Sequence, residues 1–298
     1  RMGILLKSEA HSNTIGTASS GNVISGNGYD GDFAFYGGVA IDGSNQNELC
    51  NNIIGLSADG LSALPNADDG VSLFNYAQRN VVGQGTQDSC ANIIAWNEGD
   101  GISVFGEGTV RNTIGRNAIH DNAELGINNV AGGNEELPPP AIRKYAVAPA
   151  GGVALESVAC PGCLVLVYSD NDGEGRYYEG SGTAHAISGR FLWNGLPTAE
   201  AFTLVNIDAS GNTSEFSAAP AKLKLSIDDA LPHVVVNKVA GDADSPAGPT
   251  LIDVVAEVVS WDPSLREDVD VTIAVPGDVF GSPTRVFVRD QVSDYDGT

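Results

Sequence analysis

The fold is decided by the stretch from Asn13 to Asn129, in which three short apolar signatures recur in a fixed order. The first reads Asn13-Thr-Ile-Gly, Asn47-Glu-Leu-Cys, Asn80-Val-Val-Gly and Asn112-Thr-Ile-Gly, with starts 34, 33 and 32 residues apart. The second reads Asn22-Val-Ile, Asn52-Ile-Ile, Asn92-Ile-Ile and Asn117-Ala-Ile. The third reads Gly38-Val-Ala-Ile, Gly70-Val-Ser-Leu, Gly101-Ile-Ser-Val and Gly126-Ile-Asn-Asn. A period of this length indicates a stack of structural repeats.

Each signature is too short for a helix and alternates as a strand does, with Val71 and Leu73 on one face. In the first two signatures the asparagine and the apolar residue two places on share a face, so stacked coils put asparagine over asparagine in an amide ladder. Each strand then pairs with its equivalent in the next coil, about 4.8 Å away, in parallel sheets. Because parallel connections are right-handed in nearly all cases, the pattern predicts a right-handed parallel β-helix.

The alternative is an Asn/Gly-rich loop region in which such triplets occur by accident. Composition argues against it, because 18 of the 23 asparagines fall before residue 135, in less than half of the chain.

The net charge of the chain restricts the classes of partner that it can bind. The chain has 38 acidic and 15 basic residues and a net charge of −23. Nucleic-acid binding depends on basic contacts to phosphate, and docking on anionic lipid needs the same charge. We therefore expect no nucleic acid as partner, and the lack of a run of about eighteen apolar residues predicts no membrane insertion. An acidic, lysine-poor surface is common in secreted proteins and can collect divalent cations.

The four cysteines form two pairs. Cys50 and Cys90 each precede a second-signature asparagine by two residues in consecutive coils, so stacking puts their Cα atoms about 5 Å apart, within disulfide range. Cys160-Pro-Gly-Cys163 is the other pair; a redox centre, half a zinc site, a small structural disulfide and two free thiols are all open. Such pairing favours an oxidising, extracellular or cell-surface location.

The domain boundaries are placed where the repeat pattern of the sequence changes. We assign residues 1–134 to the β-helix, 135–141 to a Pro-rich linker, 142–221 to an immunoglobulin-like β-sandwich and 222–298 to a second, truncated sandwich. The sandwich assignment depends on short strands separated by turn signals, such as Leu164-Val-Leu-Val-Tyr168 and Ala201-Phe-Thr-Leu-Val-Asn-Ile207. The first residues enter almost directly into the repeat and the last stop without a polar tail, so we expect a piece of something longer.

The rows Asn13-Thr-Ile-Gly…Gly21-Asn-Val-Ile-Ser-Gly-Asn27 and Asn52-Ile-Ile-Gly…Ala63-Leu-Pro-Asn66 resemble the right-handed β-helix repeats of bacterial surface proteins, relatives of the pectate-lyase-like group. A following sandwich that ends in Gly211-Asn-Thr-Ser-Glu-Phe-Ser217 is similar to large secreted or wall-attached proteins of that kind. The resemblance covers about residues 10–220 and implies architecture more than activity.

Two long loops leave one corner of neighbouring coils, and aromatic faces beside carboxylates are what a sugar-binding cleft offers. The first spans 28–37 and the second 56–69. The candidate ligand-binding residues in these loops are Tyr29, Asp30, Asp32, Phe33, Phe35, Tyr36, Asp59, Asp68 and Asp69. The alternative is that the aromatic side chains pack the loops against the wall of the stack.

Elsewhere the sequence gives only weak signals for metal binding or catalysis. Asp170, Asp172 and Glu174 supply oxygen ligands at alternate positions around Gly173, as in the first half of a calcium loop, although a plain hairpin turn is the alternative. Asp69 and Asp100 occupy equivalent positions in neighbouring coils. The two interpretations are paired glycosidase carboxylates and Asp-Gly dipeptides that form turns. We expect His120, one residue past inward-facing Ile119, to face outward.

The sequence thus favours a non-enzymatic extracellular module for adhesion, glycan binding or surface scaffolding, with calcium as the one candidate cofactor. Its partners would be a polysaccharide or surface glycan and other copies or domains of a larger surface protein. The alternative is a polysaccharide lyase, hydrolase or epimerase with its site on the paired loops. Open coil ends also leave a segment of a filament or sheath possible.

Overall fold

The structure, a computed structural model, describes residues 2–28, 37–83, 88–147, 153–170, 173–199, 201–217, 234–241 and 252–258. Its regular elements in these ranges are β-strands and two short 3-10 turns, Asp88–Cys90 and Gly133–Glu136, which confirms the predicted all-β class. No helix in the described ranges is long and apolar enough to cross a membrane.

Residues 4–130 form three parallel sheets, in which each strand pairs with its equivalent in the next repeat. Sheet A contains Ile4–Leu6, Val39–Asp42, Val71–Phe74, Ile102–Phe105 and Ile127–Val130. Sheet B contains Thr14–Ile15, Glu48–Leu49, Val81–Val82 and Thr113–Ile114. Sheet C contains Val23–Ile24, Ile53–Ile54, Ile93–Ala95 and Ala118–His120. The predicted parallel, stacked strands are therefore confirmed as a β-helix-like stack of coils.

The three predicted signatures are these strands, in the predicted register. In sheet A, Val39 pairs with Val71, Val71 with Ile102 and Ile102 with Ile127. These side chains are at most 2 % exposed, since alternation turns them all into the stack. Like side chains therefore lie above like, and one apolar core runs along the interior.

Three asparagine ladders run beside this core. In the first, the Asn47 Nδ2 donates to Asn80 Oδ1 and the Asn80 Nδ2 to Asn112 Oδ1, both over 3.0 Å. The second passes through Asn22, Asn52, Asn92 and Asn117. The third passes through Asn27, Asn66, Asn97 and Asn122. The first two ladders were predicted and are confirmed, whereas the third was missed.

Glycine begins each sheet A signature because the coils approach closely there. A Cβ on Gly70 would lie 2.7 Å from the carbonyl oxygen of Gly101 and 2.7 Å from Ile94 Cγ2. A Cβ on Gly101 would meet Gly126 O and Ile119 Cγ2 in the same way, at 2.6 and 2.8 Å. The stacking distance therefore leaves no room for a side chain at this position.

Residues 141–217 form two antiparallel sheets. One contains Ala141–Val147, Val153–Val158 and Arg190–Gly195; the other contains Leu164–Asp170, Tyr177–Thr183 and Ala201–Ile207. They share an apolar core that includes Leu155, Val165, Val167, Phe191 and Phe202. The strand Tyr177–Thr183 was not predicted, because its two glycines interrupt the alternation of apolar residues.

The segment 211–217 lies against the last coil and continues its hydrogen bonding. The Ile114 N–H donates to Thr213 Oγ1 over 2.8 Å, and the Asn134 Nδ2, at the end of the first ladder, donates to Thr213 O over 3.2 Å. The Asn129 N–H donates to Glu215 Oε1 over 3.0 Å. Polar groups that a further coil would have satisfied thus find partners in this segment.

By its contacts the chain divides into two compact units. The first comprises residues 1–145 and 151–222, so the predicted boundary at 135–141 separates two kinds of β-structure within one unit. The second comprises 146–150 and 223–298. Its described part includes an antiparallel pair of strands, Val234–Gly241 and Ile252–Val258. The other predicted strands of this region lie outside the described residues.

Candidate functional site

The outer face of sheet A carries a polar row and an aromatic row. Alternation turns Ser72 and its pairing partner Ser103 outward near the start of their strands. At the strand ends Asp42 pairs with Phe74, and Phe105, which is 40 % exposed, pairs with Val130. The serine row lies beside an acidic edge of the sheet. The aromatic row lies beside the opposite edge, which is open to solvent.

The acid edge, formed by Asp68, Asp69 and Asp100, precedes the sheet A strands. The Asp69 Oδ1 accepts the Asp100 N–H over 2.9 Å, and Asp69 Oδ2 accepts Ser72 Oγ over 2.9 Å. One coil further on, Asp100 Oδ1 accepts the Leu125 N–H over 2.9 Å and Asp100 Oδ2 accepts Asn128 Nδ2 over 2.8 Å. Each carboxylate therefore ties its own turn to the next coil.

Burial changes the protonation of this edge. Desolvation, reinforced by the charge of Asp68, raises the pKa of Asp69 from 3.8 to about 7. Desolvation also raises the pKa of Asp100. Both side chains are less than 10 % exposed, so removal of the carboxylates from water outweighs the hydrogen bonds they accept.

The predicted paired-loop site is described only in part. Residues 29–36, and with them Tyr29, Asp30, Asp32, Phe33, Phe35 and Tyr36, lie outside the described residues. In the second loop Asp59 is exposed and caps its own turn by accepting the Leu61 N–H over 2.9 Å; the hydrogen bond from Ser57 lowers its pKa. The structure brings Asp68 and Asp69 to Asp100 rather than to Asp59.

A groove follows the sheet A strands at the opposite edge. It has a volume of about 610 Å³. This polar groove is lined by Glu9, His11, Gly43, Asn45, Gln46, Asn75, Tyr76 and Gln78, which come from three successive coils. It therefore places carboxylate, imidazole, amide and phenol groups along the stacking direction, which is also the direction of the Phe74–Phe105 row.

The turn beside the aromatic row holds Tyr76 in solvent. Asn75 and Tyr76 both have positive φ, 54° and 66°, a conformation that is unfavourable for a bulky side chain. The Tyr76 N–H donates to Thr109 Oγ1 over 3.1 Å, and the Asn75 Nδ2 donates to Asp42 Oδ1 over 2.8 Å. The Tyr76 side chain is 69 % exposed despite this fixed backbone. The backbone hydrogen bond thus fixes the turn while the ring stays open to solvent.

The calcium loop is tested only in part, because residues 171 and 172 lie outside the described residues. Asp170 is buried and its Oδ2 accepts the Arg176 N–H over 3.1 Å. Glu174 accepts the Asn122 N–H over 3.2 Å and thus ends the third asparagine ladder. Two of the three predicted ligands therefore have structural contacts, and calcium at Asp170, Asp172 and Glu174 stays a prediction.

The cysteines are joined as Cys50–Cys90 and Cys160–Cys163. The Cα atoms of Cys50 and Cys90, in consecutive coils, lie 4.3 Å apart. Cys160 and Cys163 close the turn between Val153–Val158 and Leu164–Asp170, strands of two different sheets, with the Cys163 N–H donating to Cys160 O over 3.1 Å. No described cysteine has a free thiol.

His120, expected to face outward from the stack, is nevertheless only 7 % exposed. Its neighbour Ile119 forms an antiparallel bridge with Gly175, which brings the 173–176 turn over this strand. The His120 Nδ1 contacts Asp121 Oδ2 at 2.8 Å, and Arg176 Nη1 lies 3.5 Å from the same oxygen. A contact between segments about 55 residues apart has no local sequence signal.

Sequence reasoning missed both the polar groove and the third ladder. The ladder had a usable signal, since Asn66, Asn97 and Asn122 each stand four residues before a sheet A glycine. The groove had none, because it forms only where two or three residues from each of three turns lie side by side. No protein-family model matches the chain, and none of the curated proteins is significantly similar to it.

Proposed function

We propose that this protein is an extracellular or cell-surface module that binds a polysaccharide or surface glycan without catalysis. In this proposal residues 1–134 form a right-handed parallel β-helix of the pectate-lyase-like kind and residues 142–221 an immunoglobulin-like sandwich. The stacked parallel sheets support the first assignment, and the two antiparallel sheets with a shared core support the second.

The polar groove is the observation that carries this proposal. Sugars present apolar ring faces and hydroxyl edges, so they bind where an exposed aromatic ring adjoins amides and carboxylates. Tyr76 offers the ring, and Asn45, Gln46, Asn75 and Gln78 offer amide donors and acceptors. The groove crosses coils that repeat about every 4.8 Å, so successive sugars of an extended chain would meet similar turns.

Charge indicates which glycans to test first. The chain has a net charge of −23, and Glu9 adds a carboxylate to the groove itself. Like charge disfavours polyuronates and sulfated glycans at low ionic strength. We therefore expect neutral glycans to bind more tightly than anionic ones.

The test is a glycan panel followed by calorimetric titration of the best ligand. We expect Tyr76→Ala to weaken binding at least tenfold, because it removes the aromatic platform. Trp96→Ala is the matched control, since Trp96 is also an exposed aromatic residue, at 44 %, but does not line the groove. Equal losses in both variants, or no binding across the panel, would reject the proposal.

A second candidate is a polysaccharide-processing enzyme that uses the acid edge. The pKa of Asp69, raised to about 7, favours it, because a general acid for glycoside cleavage needs a carboxyl that is protonated near neutral pH. The same panel is assayed for new reducing or unsaturated ends. Activity that Asp69→Asn abolishes while glycan binding persists would select the enzyme over the binding module.

A further inference from the structure

Three potential metal ligands meet on the outer side of sheet B. One carboxylate oxygen of Glu48 and the Sγ atoms of Cys50 and Cys90 all lie within 4.8 Å of one another. The Cys90 Sγ is 3.9 Å from Glu48 Oε1. In the described part of the chain this is the one group of three or more His, Cys, Asp or Glu residues close enough to hold a metal ion.

We propose that Glu48, Cys50 and Cys90 form a redox-gated site for a thiophilic divalent cation of the Zn²⁺ class. The disulfide form excludes the metal, because both sulfurs are used in the bond between them. A thiol reductant opens the site by two-electron exchange: two reductant thiols become one disulfide, and the protein disulfide becomes two thiols. The cation then displaces the two thiol protons and binds the two thiolates.

The geometry suits a tetrahedral ion. Zn²⁺ binds thiolate sulfur at about 2.3 Å and carboxylate oxygen at about 2.1 Å, which separates tetrahedral ligands by about 3.5–3.8 Å. The Cys90 Sγ and Glu48 Oε1 are 3.9 Å apart, close to this separation, whereas the two bonded sulfurs reach it only after reduction, by side-chain rotation. Three protein ligands leave a fourth position for water.

Hydrogen bonds just after the two cysteines keep the two chain segments together after reduction. The Asn52 N–H and Nδ2 both donate to Asn92 Oδ1, over 2.8 and 3.0 Å, two residues beyond each cysteine. The Asn51 N–H donates to Cys90 O over 3.3 Å. Because these bonds do not involve sulfur, breaking the disulfide leaves the coils, and therefore the thiols, in place.

Burial selects soft ions over hard ones. Cys50 and Cys90 are 2 % and 5 % exposed, and Glu48 is half-buried. Ca²⁺ and Mg²⁺ require six or more oxygen ligands, which this site lacks, whereas thiolates prefer Zn²⁺, Cd²⁺ and Co²⁺. The second disulfide, Cys160–Cys163, has no such third ligand in the described residues.

The test uses Co²⁺ as a spectroscopic probe in the full chain carrying Cys160→Ser and Cys163→Ser, so that only one cysteine pair is left. After reduction and removal of the reductant under nitrogen, we expect one equivalent of Co²⁺ to give a thiolate-to-cobalt charge-transfer band and intense visible bands typical of tetrahedral sites. Zn²⁺ should displace it. The oxidised protein should show neither band.

Substitutions test which residues bind the metal ion. Glu48→Gln should weaken Co²⁺ binding at least tenfold, whereas Glu107→Gln, an exposed acid elsewhere in the stack, should leave it unchanged. Cys50→Ser with Cys90→Ser should abolish the charge-transfer band. No band in the reduced protein, or equal affinity of the two glutamine variants, would overturn the proposal. So would a loss of the β-sheet circular dichroism on reduction that Co²⁺ does not restore.

Discussion

Asn75 and Asn80 stand five residues apart in the same coil, yet the protein uses them in opposite ways. Asn80 is fully buried; its Oδ1 accepts from the Asn47 N–H and Nδ2, and its Nδ2 donates to Asn112 Oδ1 and Ser44 O. Asn75 is exposed in the polar groove and donates to Asp42 Oδ1. The interior of the stack therefore satisfies its polar groups internally, whereas the groove presents amide groups to solvent and to a ligand.

The largest expected effect comes from Asn80→Ala, which breaks a ladder inside the stack. The change leaves Asn47 Nδ2, Asn112 Oδ1 and Ser44 O without this partner in an interior that water does not reach. We expect a loss of about 4 kcal/mol in the free energy of unfolding, measured by urea denaturation. Asn75→Ala is the control and should cost only about 1 kcal/mol, because its side chain is exposed and only its positive φ is less favourable for alanine. Similar values for the two would show that the ladders contribute little to stability.

The acid edge tests the contrast between buried and exposed polar groups through the pH dependence of stability. Because the pKa of Asp69 is raised to about 7 by folding, its stabilising contribution is complete below the unfolded pKa and is lost as pH rises through 7. Between pH 5 and pH 8 this loss amounts to about 3 kcal/mol. Asp69→Asn, which mimics the neutral acid, should remove that part of the pH dependence in urea denaturation. Parallel profiles for the two proteins would contradict the raised pKa.

The two disulfides differ in the chain length that they close. Cys50–Cys90 spans 40 residues between coils, whereas Cys160–Cys163 spans 3 residues within a turn. From loop-closure entropy in the unfolded chain, the first disulfide should add about 4 kcal/mol to the free energy of unfolding and the second about 1.5 kcal/mol. We expect Cys50→Ala with Cys90→Ala to lower the thermal midpoint more than Cys160→Ala with Cys163→Ala. The reverse order would show that the length of the closed loop does not decide how much each bond stabilises the protein.

The smallest expected effect is on the groove side. Tyr76→Ala removes an exposed side chain from a turn whose hydrogen bond to Thr109 uses the backbone, so this bond survives the change. We expect less than about 0.5 kcal/mol of change in unfolding free energy, while glycan affinity falls at least tenfold. A large loss of stability in this variant would mean that Tyr76 serves packing instead of binding.

The repeat rhythm was sufficient to predict the stack, because parallel coils repeat the same contacts at a fixed sequence spacing. The asparagine ladders at Asn47 and Asn52 and the inward position of Val71 followed from that periodicity. The groove could not be predicted, because its position depends on which turns lie side by side at one corner. The covering of His120 by the 173–176 turn could not be predicted either, since it arises from contact between distant segments.

The sequence by itself determined that the chain is β-structured and that like residues stack, since Asn-x-apolar and Gly-apolar signatures that recur every 25–40 residues in a fixed order can bury their apolar faces only by stacking on copies of themselves. Only the tertiary structure decided that Asp69 and Asp100 are buried and hydrogen-bonded between coils. It also decided that Glu174 ends an asparagine ladder, and that Tyr76 stands over an open groove. Exposure, pKa and ligand geometry depend on the neighbours that folding brings close, and a residue's own sequence context does not contain them.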